Sequence, residues 1–380
     1  MDLKDYREKI NGIDEQMVKL FEERMEISAE IAKYKKENGL PIFDGARERS
    51  KLKSVNEQLP EHLQDYGLSL YSLLMDLSKT YQYRTTGGGG ETSRQIESAI
   101  RNTPALFPEK ATVACQGVEG SYSQIAAEKI FKYSNIFFFN SFDAVFSAIE
   151  NGLCRYGVLP VENSTAGTVN RVYDLMLQHH FHIVRSVRVK VDHNLLVKPG
   201  TKLKDVREVY SHEQAISQCS GFLSTLSGVK VTPVENTAIA AKLVASSERS
   251  DVAALSSRSC MELYGLACLK ASVQDSSNNY TRFVCISKDL EIYPGADRTS
   301  LMMVLPHTPG SLYKVLSRFY ALGINLNKLE SRPLPDRNFE FMFYFDLENS
   351  VYSPRFTQLM ADMDNISEEF IYLGSYSEII

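Results

Sequence analysis

Nowhere in its 380 residues does this chain run apolar for the ~18 residues that a membrane-spanning helix needs. Its first residues are charged and helix-forming rather than built like a secretory leader, so no membrane contact and a cytoplasmic location are expected. Positive charge is not in excess either. Lys and Arg number 42 against 47 Asp and Glu, a net charge of −5, and no basic stripe interleaved with aromatics occurs, which argues against a nucleic-acid partner. Cysteine is scarce. The six residues at 115, 154, 219, 260, 268 and 285 form no CxxC pair and read as reduced core thiols. His179, His180 and His182 cluster at no standard ligand spacing and without a nearby cysteine, so no metal is expected. Gly87–Gly90 lack both the Lys-Ser/Thr ending and the preceding strand of a phosphate loop and read as a tether.

A chain of this length calls for two or three domains. The polar, glycine-rich run after residue 86 gives the sharpest boundary, and "KDLEIYPGADRTS" at 288–299 gives a softer one. The expected division is a helical domain over 1–86, a linker over 87–108 with a short helix at 95–102, an α/β domain over 109–288 and an α+β domain over 297–380.

In the first domain, Ile10, Ile13, Met17, Leu20, Ile27, Ile31 and Tyr34 recur on alternating three- and four-residue steps, the stripe of a helix packed along its length. Asp2 with Asp5 caps its start, and Gly39 followed by Pro41 ends it. The span, from about residue 3 to about 38, is ~50 Å long. Arg24 falls on this stripe between Leu20 and Ile27. A guanidinium there is costly unless it is paired or faces an anion. Lys35 lies ~16 Å further along, so the two side chains could converge on one small dianion, whereas Arg7 lies ~42 Å from Lys35 and could serve that ligand only from a second subunit. Asp44, Arg47 and Glu48 follow the break, and a later helix carries Ser78 and Gln82 four residues apart, extending the apolar face of Leu70, Leu74 and Leu77 with hydrogen-bonding groups.

Taken together, "YREKI…ER…K", "DxxRE" and the Ser/Gln pair resemble the all-helical chorismate mutases of the bacterial type. The resemblance implies that Arg7 (from the partner subunit), Arg24 and Arg47 hold substrate carboxylates, with Ser78 at a carboxylate. It places Lys35 and Gln82 at the ether oxygen as the catalytic pair, and Asp44 and Glu48 at the ring hydroxyl. A [3,3] rearrangement requires no nucleophile and no proton transfer, only conformational restriction and stabilisation of charge on the breaking C–O bond. None of these residues is a histidine or cysteine, as that chemistry allows.

The middle region alternates strand, small polar loop and helix. Strands are expected at Ala111–Cys115, Tyr156–Val161, Val206–Tyr210 and Val252–Leu255, each followed by Gly, Ser or Asn before a helix. Repeated helix N-termini at strand ends collect anions in a crevice. "NNYTRFVCI" closes the region as a strand, with alternation placing Thr281 on the face of Phe283 and Cys285 and Arg282 on the other. In this order, "GxxGSYS", "VENS" and "TRF" resemble prephenate dehydratase. That family implies a two-lobed, periplasmic-binding-protein-like α/β fold with the active cleft between lobes and Thr281 as the catalytic residue. Asn163, Ser164, Thr165, Ser211, Gln214 and Arg282 are the expected prephenate contacts. A fused dehydrogenase is disfavoured, because residues 111–123 hold one GxxG without the GxGxxG turn and its acidic partner.

Residues 298–380 read β-α-β-β-α-β, a ferredoxin-like order: strands Ser300–Leu305, Ile324–Ser331, Phe339–Leu347 and Glu369–Leu373, helices Gly310–Ala321 and Pro354–Met363. "TPGSLYKVL" and "LESRP" resemble an ACT regulatory domain, which implies phenylalanine as effector, with Gly310, Ser311, Leu312, Glu330 and Ser331 at its site. Ser311 replaces the Ala common in that family. The whole reads as a multidomain, cofactor-free bifunctional enzyme of phenylalanine biosynthesis, a homodimer or higher homo-oligomer, taking chorismate through prephenate to phenylpyruvate under feedback by phenylalanine. The alternative is a non-catalytic metabolite-sensing regulator using the same cleft and ACT domain.

Overall fold

The computed structural model describes residues 2–86, 90–334 and 340–380; Gly87–Gly89 of the expected tether and Phe339 of an expected strand lie outside them. Its contacts divide the chain into two compact units. One comprises residues 1–95, 306–322 and 354–368, the other 96–305, 323–353 and 369–380.

The first unit is helical. Helix α1 (Leu3–Glu37) starts with a reciprocal capping box between Asp2 and Asp5 and is followed by α2 (Gly45–Gln58) and α3 (Gln64–Thr85). The period of α1 was legible, but the face it buries was not. Ile10, Ile13, Met17, Leu20, Ile27, Ile31 and Tyr34 are each 42–63 % exposed, while Ser28 and Ala32 are buried. Helix α3 packs on α1 while α2 packs on α3, and Arg24, which reaches Leu74 and Ser78 of α3, stands on one row with the buried Ser28 and Ala32 at four-residue spacing. The stripe expected in a core is therefore open in the single chain. Helices Ser311–Ala321 and Pro354–Ile366 also belong to this unit. Arg318 donates to Thr80 Oγ1 at 2.7 Å, and Arg84 meets buried Asp362 at 3.5 Å.

The second unit holds three sheets. Strands β1 (Lys110–Gln116), β2 (Tyr133–Phe139), β3 (Tyr156–Asn163), β4 (Gly167–Thr168) and β5 (His182–Lys190) open the first lobe. The chain then crosses to a second lobe of β6 (Asn194–Val197), β7 (Glu208–Ser211), β8 (Lys230–Pro233), β9 (Val252–Ser256) and β10 (Ala267–Lys270), ordered β10-β6-β9-β7-β8. It returns through β11 (Tyr280–Ser287), which inserts between β3 and β5. The strands β12 (Arg298–Val304), β13 (Asn325–Pro333), β14 (Phe341–Glu348) and β15 (Glu369–Tyr376) form an antiparallel sheet ordered β13-β14-β12-β15. A last strand, β16 (Glu378–Ile379), rejoins the first lobe beside β5. The sequence pattern does not mark it, nor β2, β4, β5, β6, β8 and β10. In β5 the polar His182, Arg185, Arg188 and Lys190 interrupt the apolar signal: Arg188 and Lys190 are exposed, and the Arg185 guanidinium stacks over the Phe107 ring.

The four-stranded sheet and the first lobe share one core. Leu159, Val161, Val284 and Ile286 cluster with Met302, Val304, Met342, Tyr344, Leu373 and Tyr376. Gly374 permits close approach: a Cβ there would lie 2.3 Å from the carbonyl oxygen of Ile183 on β5. Five of the six cysteines are buried, all six are free, and Cys268 is exposed.

Candidate active sites

On the helical unit, Arg24 is half-buried and aims Nη1 at the carbonyl of Leu74, 3.1 Å away, and at the hydroxyl of Ser78. Burial lowers the pKa of its guanidinium, with no carboxylate among the causes. Gln82, one turn beyond Ser78, is 8 % exposed and its Oε1 has no partner. A buried amide oxygen left unpaired is expensive, so the position suits a ligand. Lys35 Nζ donates to the Ile42 carbonyl at 2.6 Å, tying α1 to the loop before α2. Asp44 caps α2 by accepting from Arg47 N at 3.0 Å, and Glu48 pairs with Lys79 at 2.8 Å. Arg7 lies exposed near the other end of α1 and Arg47 is exposed on α2. Arg24, Ser78 and Gln82 are thus brought together, while Arg7 is not.

In the second unit the centre is Asn163, at the end of β3. Its Oδ1 accepts from Thr165 N (3.0 Å), Thr165 Oγ1 (2.7 Å) and Ala166 N (2.9 Å), which fixes the amide orientation. Its Nδ2 donates to Asn279 Oδ1 and to Thr281 Oγ1, both at 2.9 Å. Gln218, on the second-lobe helix Glu213–Gln218, donates to Thr165 Oγ1 at 2.6 Å and accepts from Asn279 Nδ2 at 2.9 Å, bridging the lobes. His193 closes this chain, its Nε2 3.0 Å from Gln218 Oε1, and burial lowers its pKa. The loop of "GxxGSYS" reaches the second lobe as well. Gly120, at φ +89°, accepts from Ser257 Oγ, and a Cβ on it would come within 2.7 Å of Cys260 Sγ. The buried Ser121 hydroxyl, at the start of the helix Tyr122–Ile130, has no partner.

Several expected contacts are placed otherwise. Ser211 is fully buried and gives its hydroxyl to the Leu255 carbonyl at 2.8 Å. Ser164 uses its hydroxyl to hold the Asn278 carbonyl and Tyr280 N. Gln214 is exposed one turn before Gln218, so the glutamine that reaches the network is the one at the helix end, which the sequence reading missed along with Asn279. Arg282 leaves the opposite face of β11 from Thr281, donates to Asp346 and Tyr376 and pairs with Glu378, so it points away from the Thr281 hydroxyl.

Of the expected effector residues, Gly310 caps the helix Ser311–Ala321 in a left-handed conformation that favours glycine, with Thr308 and Ser311 hydroxyls 2.9 Å apart. On β13, Glu330 accepts from Thr168 Oγ1, Lys328 lies 3.6 Å from Glu162, and Ser331 is exposed. Among the described residues no group of three or more His, Cys, Asp and Glu could hold a metal, and no helix is long and apolar enough to cross a membrane.

Comparison with known proteins assigns both regions. Residues 6–83 match the chorismate mutase type II family and residues 113–291 the prephenate dehydratase family. A bifunctional chorismate mutase/prephenate dehydratase of Enterobacter agglomerans is 30 % identical over 97 % of this chain and 94 % of its own length. Arogenate dehydratase 2 of Petunia hybrida is 35 % identical, covering 78 % of this chain and 79 % of the relative. Among solved structures, the prephenate dehydratase of Arthrobacter aurescens in complex with L-Phe superposes with a TM-score of 0.64 at 25 % identity, over 70 % of this chain and 89 % of that one. With a mutase region of helices, a two-lobed dehydratase region and a relative that carries both from end to end, the chain belongs to the bifunctional chorismate mutase/prephenate dehydratase family.

Proposed function

We propose the following division of labour among its residues. In the helical unit, Arg24 and Arg47, with Arg7 of a second copy, bind the two carboxylates of chorismate, Ser78 assists at a carboxylate, and Asp44 and Glu48 hold the ring hydroxyl. Lys35 and Gln82 donate to the ether oxygen as the C–O bond breaks. The supporting observation is the pairing of Arg24 with Ser78, one turn from the buried Gln82, whose amide would donate when turned over so that its NH2 takes the place of the unpartnered Oε1. Fixed donors of this kind lower the barrier by restriction and charge stabilisation, without titrating. A second copy covering the α1 stripe would give a homodimer, and burying an apolar side chain of this size contributes about 1.5–3 kcal/mol.

In the cleft, the observation that carries the reading is the hydrogen bond from Asn163 to Thr281. Because Nδ2 occupies a lone pair of Oγ1, the Thr281 hydroxyl keeps its proton for a substrate oxygen. Loss of the ring carboxylate as CO₂ pushes electrons through the ring and expels the hydroxyl opposite; a hydrogen bond from Thr281 stabilises that departing oxygen. Asn163, Thr165 and Gln218 order the cleft, and the Ser121 hydroxyl at a helix N-terminus is placed to meet a carboxylate. The four-stranded sheet and the helices Ser311–Ala321 and Pro354–Ile366 supply the β-α-β-β-α-β order of an ACT domain. Phenylalanine, the molecule bound by the Arthrobacter relative, is the proposed effector, with Gly310, Ser311, Leu312, Glu330 and Ser331 as its contacts.

Feeding chorismate to the full chain and following phenylpyruvate tests the reading, with phenylalanine expected to slow its release. Prephenate that accumulates without phenylpyruvate would remove the dehydratase assignment. A parallel incubation with arogenate, named for the Petunia relative, decides the substrate: turnover of arogenate alone would reassign it.

A further inference from the structure

Arg282 follows Thr281 on β11 and projects from the other face of the strand, where its side chain is 10 % exposed. Its Nη1 meets Asp346 of β14, its Nη2 donates to Tyr376 OH of β15 at 2.6 Å, and its Nε lies 3.1 Å from Glu378 of β16. Asp346 is itself shared. Its other oxygen accepts from Ser300 of β12 and from Tyr344 OH at 2.6 Å. One guanidinium on the strand of Thr281 therefore gathers side chains from three of the four strands of the effector-type sheet, directly or through Asp346.

Stability alone does not account for this cluster. It sits against the shared apolar core of Leu159, Val284, Met302 and Met342, and a buried ion pair is often replaceable by apolar side chains without loss of stability. The surroundings suit transmission instead. Gly374 brings β15 into backbone contact with β5, the neighbour of β11, so no cushion of side chains separates the two sheets there. Close-packed elements of this kind shift as units rather than deform.

We infer that Arg282 is a positioning residue, holding the β11 edge so that the Thr281 hydroxyl stays aligned with Asn163, and that effector binding on the four-stranded sheet reaches the dehydratase cleft through the Arg282–Asp346 pair. This rests on the roles proposed above for Thr281 and for that sheet.

The test uses the full chain, with prephenate turnover measured with and without phenylalanine and mutase turnover as the check of folding. Asp346→Asn keeps the shape and removes the charge; Tyr376→Phe removes one hydrogen bond and decides the matter should the first variant fail to fold. Asp346→Asn is expected to lower dehydratase kcat about tenfold with KM little changed and to weaken phenylalanine inhibition, and Tyr376→Phe to do the same less strongly. In a Thr281→Ser background the further loss from Asp346→Asn should shrink, because both changes act on one hydroxyl. Equal fractional losses in the two backgrounds, a rise in KM at constant kcat, or parent-like rates and inhibition in both variants would overturn the inference. A parent protein that does not turn over prephenate at all would instead sink the functional reading itself.

Discussion

Along α1 the seven apolar side chains of the stripe stand open and Arg24 is only half-covered, whereas in the dehydratase cleft Asn163 is 7 % exposed and engages neighbours through both polar atoms of its amide. The helical site thus has Arg24 on Ser78, one turn from Gln82, and on the roles proposed above would still need Arg7 of a second copy. The cleft has its hydroxyl, its amides and its interlobe bridge from one chain. The contrast teaches that two regions of one polypeptide can differ in how far their own chain closes them: the helices leave an apolar stripe open, while the cleft is held by the fold's own hydrogen bonds.

The sharpest break of that contrast is Thr281→Ala. It should lower dehydratase turnover by about 10²–10⁴ while chorismate is still consumed, so that prephenate accumulates. Loss of both activities would show that the two centres are not separately completed. Next comes subunit mixing. Arg7→Ala and Lys35→Ala proteins should each lack mutase activity, and a statistical mixture should regain about a quarter of the parent rate, since half the dimers are mixed and each then holds one intact pocket. No recovery would refute a shared site, and recovery in the dehydratase assay is not expected because neither variant touches the cleft. The smallest effect concerns His193. Its pKa is lowered by burial from 6.5, so the folded protein favours the neutral ring. The resulting stability is fully present above about pH 6.5 and is lost as pH falls through the lowered value, where the unfolded chain binds the proton more readily. Tm measured against pH should decline there less steeply in His193→Gln than in the parent.

Much of this was readable beforehand because each signal was local. Strands at Ala111–Cys115, Tyr156–Val161 and Val252–Leu255 extend by only a few residues, since an apolar run ending in Gly, Ser or Asn punctuates itself. The cap at Asp2 and the alternation that sends Thr281 and Arg282 to opposite faces are local as well. What escaped depends on distant partners. Asp346 and Tyr376 lie 64 and 94 residues from Arg282, so the strand pattern gave its face but not its company. Gln214 and Gln218 share a helix, and only the packing of the second lobe against Thr165 decides which one reaches the network. The period of α1 marked an apolar stripe without saying whether it meets its own chain or another.

Strand β16 carries a consequence for how this protein is made and cut. It follows the four-stranded sheet in sequence yet completes the first-lobe sheet beside β5, with Glu378 reaching Arg188, Arg282 and Arg298. On the ribosome the N-terminal helices can form early, but the dehydratase sheet stays unfinished until residue 379 has been synthesised. The sheet that would sense the effector is also not a detachable module. A chain stopped before residue 297 loses an edge strand of the catalytic lobe together with the regulatory one, so insensitivity of such a fragment to phenylalanine would not by itself locate the effector site.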